Sequence, residues 1–264
     1  MPEVPLVAYH GDPNLKKMYL ERVRRHRAAD EIVQGTGWAP SDGPSHDAVY
    51  QPGKGCAVGC TLQTYDHSLY PSLLGVPELL ARVQDRIFEN LSPSDALDFP
   101  EQFLDAIPVG ADLSMVWPRL ALWMLADESH GVLRCVAPAY RYAMSAISAV
   151  VAVYQGWITS GVHPPGLQWT EPCRLIDSAW TLAAEAERVG LDGARSAIRG
   201  LALAREVARE PAALGWIVPV WIEAAGPRPM PLLRDQFLRL LAEAPASPLR
   251  RRCRSEPSGV ITIT

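Results

Sequence analysis

The sequence predicts an all-α protein: a multi-helix globular domain with a helical C-terminal extension. Apolar residues recur every three or four positions along most of the 264-residue chain, the spacing of a single helix face. Aspartate and proline stand where these periodic segments begin, and glycine stands where several of them end. Alternating runs rich in β-branched residues, which would predict strands, are scarce.

The first predicted helix begins at Asp12-Pro13, because aspartate suits an N-cap and proline suits a first turn. Its apolar period continues through Ile32 and Val33 to Gly35. Residues 35–55 have no apolar period and predict a long loop, a kind of segment that often carries function. The following segments predict further helices: 76–91, 99–107, 113–126 with a kink at Pro118, 138–157, a helix capped at 170–172 and ending at 189, 192–208, 212–224 and 231–243.

Residues 161–166 contain two prolines between two glycines and favour a boundary there. The sequence therefore predicts an N-terminal helical domain over residues 1–160 and a helical C-terminal region over residues 161–244. Residues 245–264 combine proline and serine with four clustered arginines, a composition typical of a flexible tail.

Composition narrows the function classes. The net charge of −4 does not favour nucleic acid as the main partner. No stretch of about 18 uncharged apolar residues is present, so we expect no membrane partner. Five scattered cysteines and an N-terminus without a secretory pattern favour a cytoplasmic protein with reduced thiols.

Cys56 and Cys60 are the first candidate site residues, because thiols four apart lie on one face of a helix. With His10 or His67 they could form a metal site or a thiol-dependent active site. The three residues between them depart from the usual zinc spacing of two. The alternative is two small buried thiols packed beside glycines.

Two other patterns have a chemical and a structural interpretation. The glycines and the lysine of residues 53–59 have the composition of a phosphate cradle but not the order of a P-loop, so a glycine-rich turn is the alternative. The helix over residues 76–91 contains three carboxylates and two arginines, with Glu78–Arg82 and Arg86–Glu89 at the spacing of ion pairs, and paired carboxylates among Glu78, Asp85 and Glu89 could do acid–base work. Interleaved arginines favour instead a solvated, salt-bridged face.

Arginines cluster at residues 22–27 and again at 250–254. Either cluster could contact phosphates, which would make the protein a nucleic-acid accessory factor. Arginines on an exposed helix more often form solvated pairs with neighbouring acids.

Two stretches are distinctive as motifs: GKGCAVGCT at residues 53–61 and AIPVGADLS at residues 106–114. Together with residues 9–10 and 74–78, they resemble an uncharacterised family of bacterial and bacteriophage proteins that has no assigned activity. The resemblance covers about residues 8–160 and implies a phage or mobile-element setting. It calls for no cofactor.

The leading expectation is a non-catalytic accessory protein that works by binding, with a protein as the expected partner. The alternatives are a metal- or thiol-dependent enzyme centred on Cys56, Cys60, His10 and His67, and the nucleic-acid factor above. We expect the long loop and the 107–114 turn to meet, since both contain the distinctive motifs. The predicted functional surface consists of Trp38, Lys54, Cys56, Cys60 and Asp112.

Overall fold

The computed structural model of the protein describes residues 6–36, 53–208, 221 and 230–248. Within these residues all regular elements are helices, which confirms the predicted all-α class. The α-helices are α1 (Pro13–Ala28), α2 (Ala57–Leu62), α3 (Tyr70–Leu74), α4 (Glu78–Asn90), α5 (Pro93–Ala106), α6 (Val116–Ala126), α7 (Arg141–Ser160), α8 (Gly166–Arg188), α9 (Ala194–Ala208) and α10 (Met230–Ala242). Short 3-10 turns cover Ala8–Gly11, His67–Leu69 and Val132–Cys135.

Helix α1 begins as predicted and ends earlier than predicted. The Asp12 side chain accepts a hydrogen bond from the Asn14 N–H, and Pro13 occupies the first turn. The helix stops at Ala28 because Asp30 adopts a left-handed conformation with φ 57°. Ile32, predicted to be helical, instead pairs its backbone in parallel with Gly55. This pairing holds the start of α2 beside the end of α1.

Two prolines occupy positions in their helices that differ from the predicted ones. Pro118 was expected to kink a helix, but it is the third residue of α6, in a first turn where no intrahelical donor is needed. Pro172 was expected near the start of a helix, but α8 begins at Gly166 and Pro172 lies inside it. A proline after the first turn leaves one carbonyl without its intrahelical donor, and the sequence pattern alone does not show that a helix continues through it.

A single hydrophobic cluster runs through the helices of both predicted regions. Helix α7 packs on α6, and α8 and α9 pack on α7. Helix α10 packs on α4, α5 and α6, which belong to the N-terminal half. Among the described helices, none is long and apolar enough to cross a membrane.

The segment before α1, the 107–113 turn and the segment after α10 meet at Gly110. The Gly110 N–H donates to the Ala8 carbonyl at 2.8 Å, and the Ser247 N–H donates to the Gly110 carbonyl at 2.8 Å. The Asp112 N–H donates to the Pro245 carbonyl at 2.8 Å. The packed chain therefore continues at least to Ser247, beyond the start of the predicted tail, and residues 249–264 lie outside the described part.

The glycine of the 74–78 motif has a steric role. Gly75 ends α3 with φ 65°, and a Cβ placed there would lie 2.0 Å from the Val7 carbonyl oxygen. Only glycine allows the N-terminal segment to approach α3 this closely.

Candidate metal centre

Cys56 stands immediately before α2, where the backbone is anchored on both sides. The Gly55 N–H donates to the Glu31 carbonyl, and the Val33 N–H donates to the Gly55 carbonyl, each at 2.9 Å. The Cys56 Sγ accepts the Gly59 N–H at 3.5 Å, and the residue is fully buried. The thiol is therefore held in one position at the end of the parallel pairing.

Helix α4 supplies two carboxylates on one face, because Asp85 and Glu89 are four residues apart. Asp85 is only 3% exposed and Glu89 is half-buried. One Glu89 carboxylate oxygen accepts the Gly35 N–H at 2.7 Å. The expectation of a fully solvated charged face is thus wrong for Asp85, although Glu78 and Arg82 form the predicted surface pair.

Asp85 uses only one of its two oxygens in contacts with its neighbours. The Tyr65 hydroxyl donates to Oδ2 at 3.1 Å. The His67 Nε2 lies 3.3 Å from the same oxygen, close enough for an ion pair but without the alignment of a hydrogen bond. The other oxygen, Oδ1, is buried and has no hydrogen-bond partner among the described residues.

Cys56, Asp85 and Glu89 converge. One donor atom from each, the thiol sulfur or a carboxylate oxygen, lies within 4.8 Å of the other two. A buried carboxylate oxygen without a partner is costly, since burial removes its water and nothing replaces it. Three convergent donor groups, one of which carries this unpartnered oxygen, form a site that a cation would complete.

The electrostatics of the metal-free site show an excess of negative charge. Burial raises the pKa of the Cys56 thiol, and the Asp85 carboxylate raises it further. Burial also raises the pKa of Glu89 to about 7, with Asp85 adding to the rise and the Gly35 N–H opposing it. The pKa of Tyr65 rises for the same two reasons, burial and Asp85. Each of these three groups resists ionisation chiefly because it is buried, and the negative charge of Asp85 adds to the effect.

The structure brings together two of the four residues proposed for a metal or thiol site. Cys56 and His67 both lie beside Asp85. The Cys60 thiol points elsewhere and donates to the Gly55 carbonyl at 3.3 Å, while burial and the nearby Glu31 raise its pKa to about 12. The His10 Nε2 lies 3.0 Å from the Ser72 carbonyl oxygen.

The predicted functional surface does not gather around these residues. Trp38 lies outside the described residues, and Lys54 is half-buried two residues before Cys56. Asp112 accepts the Ser114 N–H at 2.9 Å and, through its own N–H, contacts Pro245. These hydrogen bonds give Asp112 a role in the turn at Gly110, and none of them leads to Cys56.

The arginines of α1 bind within the protein. Arg22 donates to the Thr61 carbonyl at 2.8 Å, and Arg24 pairs with Glu101 at 2.8 Å. Arg27 pairs with Asp98. These contacts join α1 to α2 and α5 and reduce the charge that this cluster could offer to phosphates. The second cluster, at residues 250–254, lies outside the described part of the chain.

The sequence did not single out Asp85 and Glu89, which are two of several charged residues on a helix whose pattern favours a solvated face. A signal for Asp85 was present, because Ala81, Asp85 and Phe88 continue a helical stripe that the structure buries. The contact between His67 and Asp85 joins residues 18 apart through a turn, and helical periodicity contains no information about it.

Comparison of the chain with protein-family models, with curated proteins and with solved structures finds no match. The resemblance to the bacterial and phage family stays an expectation, and the function has to be argued from the geometry.

Proposed function

We propose that the protein binds a divalent transition-metal ion through Cys56, Asp85 and Glu89. The observation that carries this proposal is Asp85: among the described residues its buried Oδ1 has no hydrogen-bond partner, and a carboxylate oxygen of this residue lies within 4.8 Å of donor atoms of Cys56 and Glu89. Burial, with a further contribution from the Asp85 charge, raises the pKa of Glu89 and Cys56, and a cation there would offset both effects and give the Asp85 carboxylate a partner.

The donor chemistry favours zinc. Thiolate is a soft ligand that magnesium and calcium do not select, whereas zinc accepts thiolate, imidazole and carboxylate together. Zinc also tolerates irregular geometry, since its filled d shell imposes none.

Tyr65 and His67 would act as supporting residues. Both approach the Asp85 Oδ2, at 3.1 and 3.3 Å, and so orient Oδ1 toward the cluster. Outer contacts of this kind hold a ligating carboxylate in position, and their removal typically lowers metal affinity about 10–100-fold.

This proposal develops the metal- or thiol-dependent alternative and replaces Cys60 and His10 with Asp85 and Glu89. The expectation of an accessory protein that binds a protein partner, in a phage or mobile-element setting, stays a prediction and is compatible with a bound metal. The nucleic-acid alternative is disfavoured by the internal ion pairs of Arg24 and Arg27.

The test is metal analysis of the full-length protein after incubation with zinc and gel filtration. We expect about one zinc per chain, as three convergent protein ligands imply. Cobalt in place of zinc should give a thiolate-to-metal charge-transfer band, which reports directly on Cys56.

Cys56→Ser should remove the charge-transfer band and most of the metal, and Asp85→Asn should lower the metal content. Cys60→Ser is the matched control, because it removes an equally buried thiol that points to backbone carbonyls. The proposal is wrong if wild-type protein retains no metal, or if Cys56→Ser and Cys60→Ser bind it equally.

A further inference from the structure

We infer that the metal centre binds a small oxyanion, a phosphate or carboxylate group, at an open coordination position beside Arg86. This inference rests on the metal binding proposed above. It adds an external ligand to the site and gives Arg86, which is not one of the proposed metal ligands, a role in recognising that ligand.

The first observation is the number of donors. Among the described residues, the convergent set consists of Cys56, Asp85 and Glu89 and does not include His67. His67 approaches the Oδ2 atom of Asp85, whereas the oxygen without a hydrogen-bond partner is Oδ1. Three protein ligands on a four-coordinate zinc leave one position for an external ligand, the arrangement that distinguishes open zinc sites from structural ones.

The second observation is Arg86. It follows Asp85 on α4 and precedes Glu89 by three residues, so it shares one side of the helix with the Glu89 carboxylate. In the part of the chain that the structure describes, it takes part in no ion pair, whereas Arg82 one turn earlier is bound by Glu78 at 2.5 Å.

The third observation is access. Tyr65, whose hydroxyl donates to Asp85, packs edge-on against His67 at 5.1 Å between ring centroids and is 49% exposed. Glu89 and Arg86 are half-buried. The centre thus has a buried side at Cys56 and a side toward the surface where Tyr65 and Arg86 lie.

These features define the ligand class. A metal ion and a guanidinium together attract an oxygen-rich anion, because one coordinates an oxygen while the other donates hydrogen bonds to a second oxygen. A phosphate and a carboxylate share this chemistry, and they differ in charge and in the number of oxygens.

The experiment uses cobalt-loaded full-length protein, titrated with inorganic phosphate or with acetate at constant ionic strength in perchlorate. Binding at the open position should change the visible cobalt spectrum in a saturable manner. Arg86→Gln should weaken anion binding about tenfold, as expected for loss of a charge-assisted contact. Arg82→Gln, the control, should leave it unchanged, and both variants should retain the metal.

The outcomes separate the two proposals. Absence of cobalt from wild-type protein refutes metal binding and this inference with it. Metal that is bound but spectrally insensitive to both anions refutes the open position alone, as does loss of cobalt to the anion after gel filtration. Equal anion affinity in Arg86→Gln and Arg82→Gln refutes the role of Arg86. A response to only one anion supports the inference and identifies the ligand class.

Discussion

Asp85 is the single side chain on which the interpretation of the site depends. One of its oxygens accepts a hydrogen bond from Tyr65 and lies beside His67, while the other is buried and, among the described residues, has no hydrogen-bond partner. Without a bound cation this arrangement is unfavourable, since the unsatisfied oxygen costs about 1–3 kcal/mol. A buried charged group with an unsatisfied atom, close to other donor groups, is typical of a binding site.

Glu89 gives the metal-free protein a specific pH dependence. Its pKa rises from an ordinary 4.5 to about 7 on folding. A raised folded-state pKa contributes stability that is fully present below pH 4.5 and is lost as the pH rises through about 7. We therefore expect the free energy of unfolding of wild type, relative to Glu89→Gln, to fall across this window, as measured by urea denaturation in the presence of a chelator.

Other carboxylates titrate in the opposite sense, so only the difference between the two proteins is informative. Parallel curves for wild type and Glu89→Gln would contradict the burial of this carboxylate. Saturating zinc should abolish the difference in slope at neutral pH, because a coordinated carboxylate stays ionised.

What the sequence revealed about single residues depended on how local their roles are. The cap at Asp12 could be predicted because its partner, Asn14, is two residues away. Cys56 was identified as a candidate from its spacing to Cys60, yet the structure gives the two thiols different partners. The ligands that complete the site come from α4, and their meeting with Cys56 depends on the packing of α2 against α4.

Helix ends are where the elements departed most from their predicted bounds. The apolar period of α1 continues to Ile32 and Val33, although the helix ends at Ala28. Asp30, in the left-handed region, redirects the chain, and Ile32 is then buried in another conformation. The bounds of α4 and α10 were predicted to within two residues, since their apolar stripes are regular.

Lys16 has a structural role at the end of α5. Its ammonium group donates to the carbonyl oxygens of Asp105 and Ile107, at 2.6 and 2.9 Å, and so satisfies acceptors that the helix itself leaves free. Lys16→Met keeps the aliphatic stem and removes the donor. We expect a loss of about 1–3 kcal/mol in the free energy of unfolding, measured by chemical denaturation.

Lys17→Met is the matched control for this prediction. Lys17 is exposed and pairs with Glu21 at 3.7 Å on the helix surface, an interaction worth less than about 1 kcal/mol. Equal effects of the two substitutions would show that the contact of Lys16 with the end of α5 contributes nothing to stability.

For the molecule as a whole, the informative comparison is between two truncations. A chain ending at residue 248 keeps the hydrogen bonds from Asp112 to Pro245 and from Ser247 to Gly110, and a chain ending at residue 244 loses both. Ser247 is also buried. We expect the shorter chain to be less stable by about 1–3 kcal/mol, in line with two lost hydrogen bonds.

Thermal or urea unfolding of the two truncated proteins, side by side, measures this difference. Both lack residues 249–264, so the comparison isolates the four residues in question. Identical stability would show that residues 245–248 contribute nothing measurable to the fold, and that the dispensable tail begins at residue 245, as the sequence predicts.

At the Gly110 junction, residues from the two ends of the described chain are close in space although they are far apart in sequence. Ala8 and Ser247 bind opposite sides of one glycine, so two positions nearly the full described length apart in sequence are spatial neighbours. If each pairing spans about 4.8 Å, the gap between them is about 10 Å, which three or four extended residues would bridge. A chain closed there and reopened at the exposed Gly161 would keep every helix and change only the connectivity. Such a circular permutant would place new ends far from the junction and leave the neighbourhood of Cys56 covalently intact.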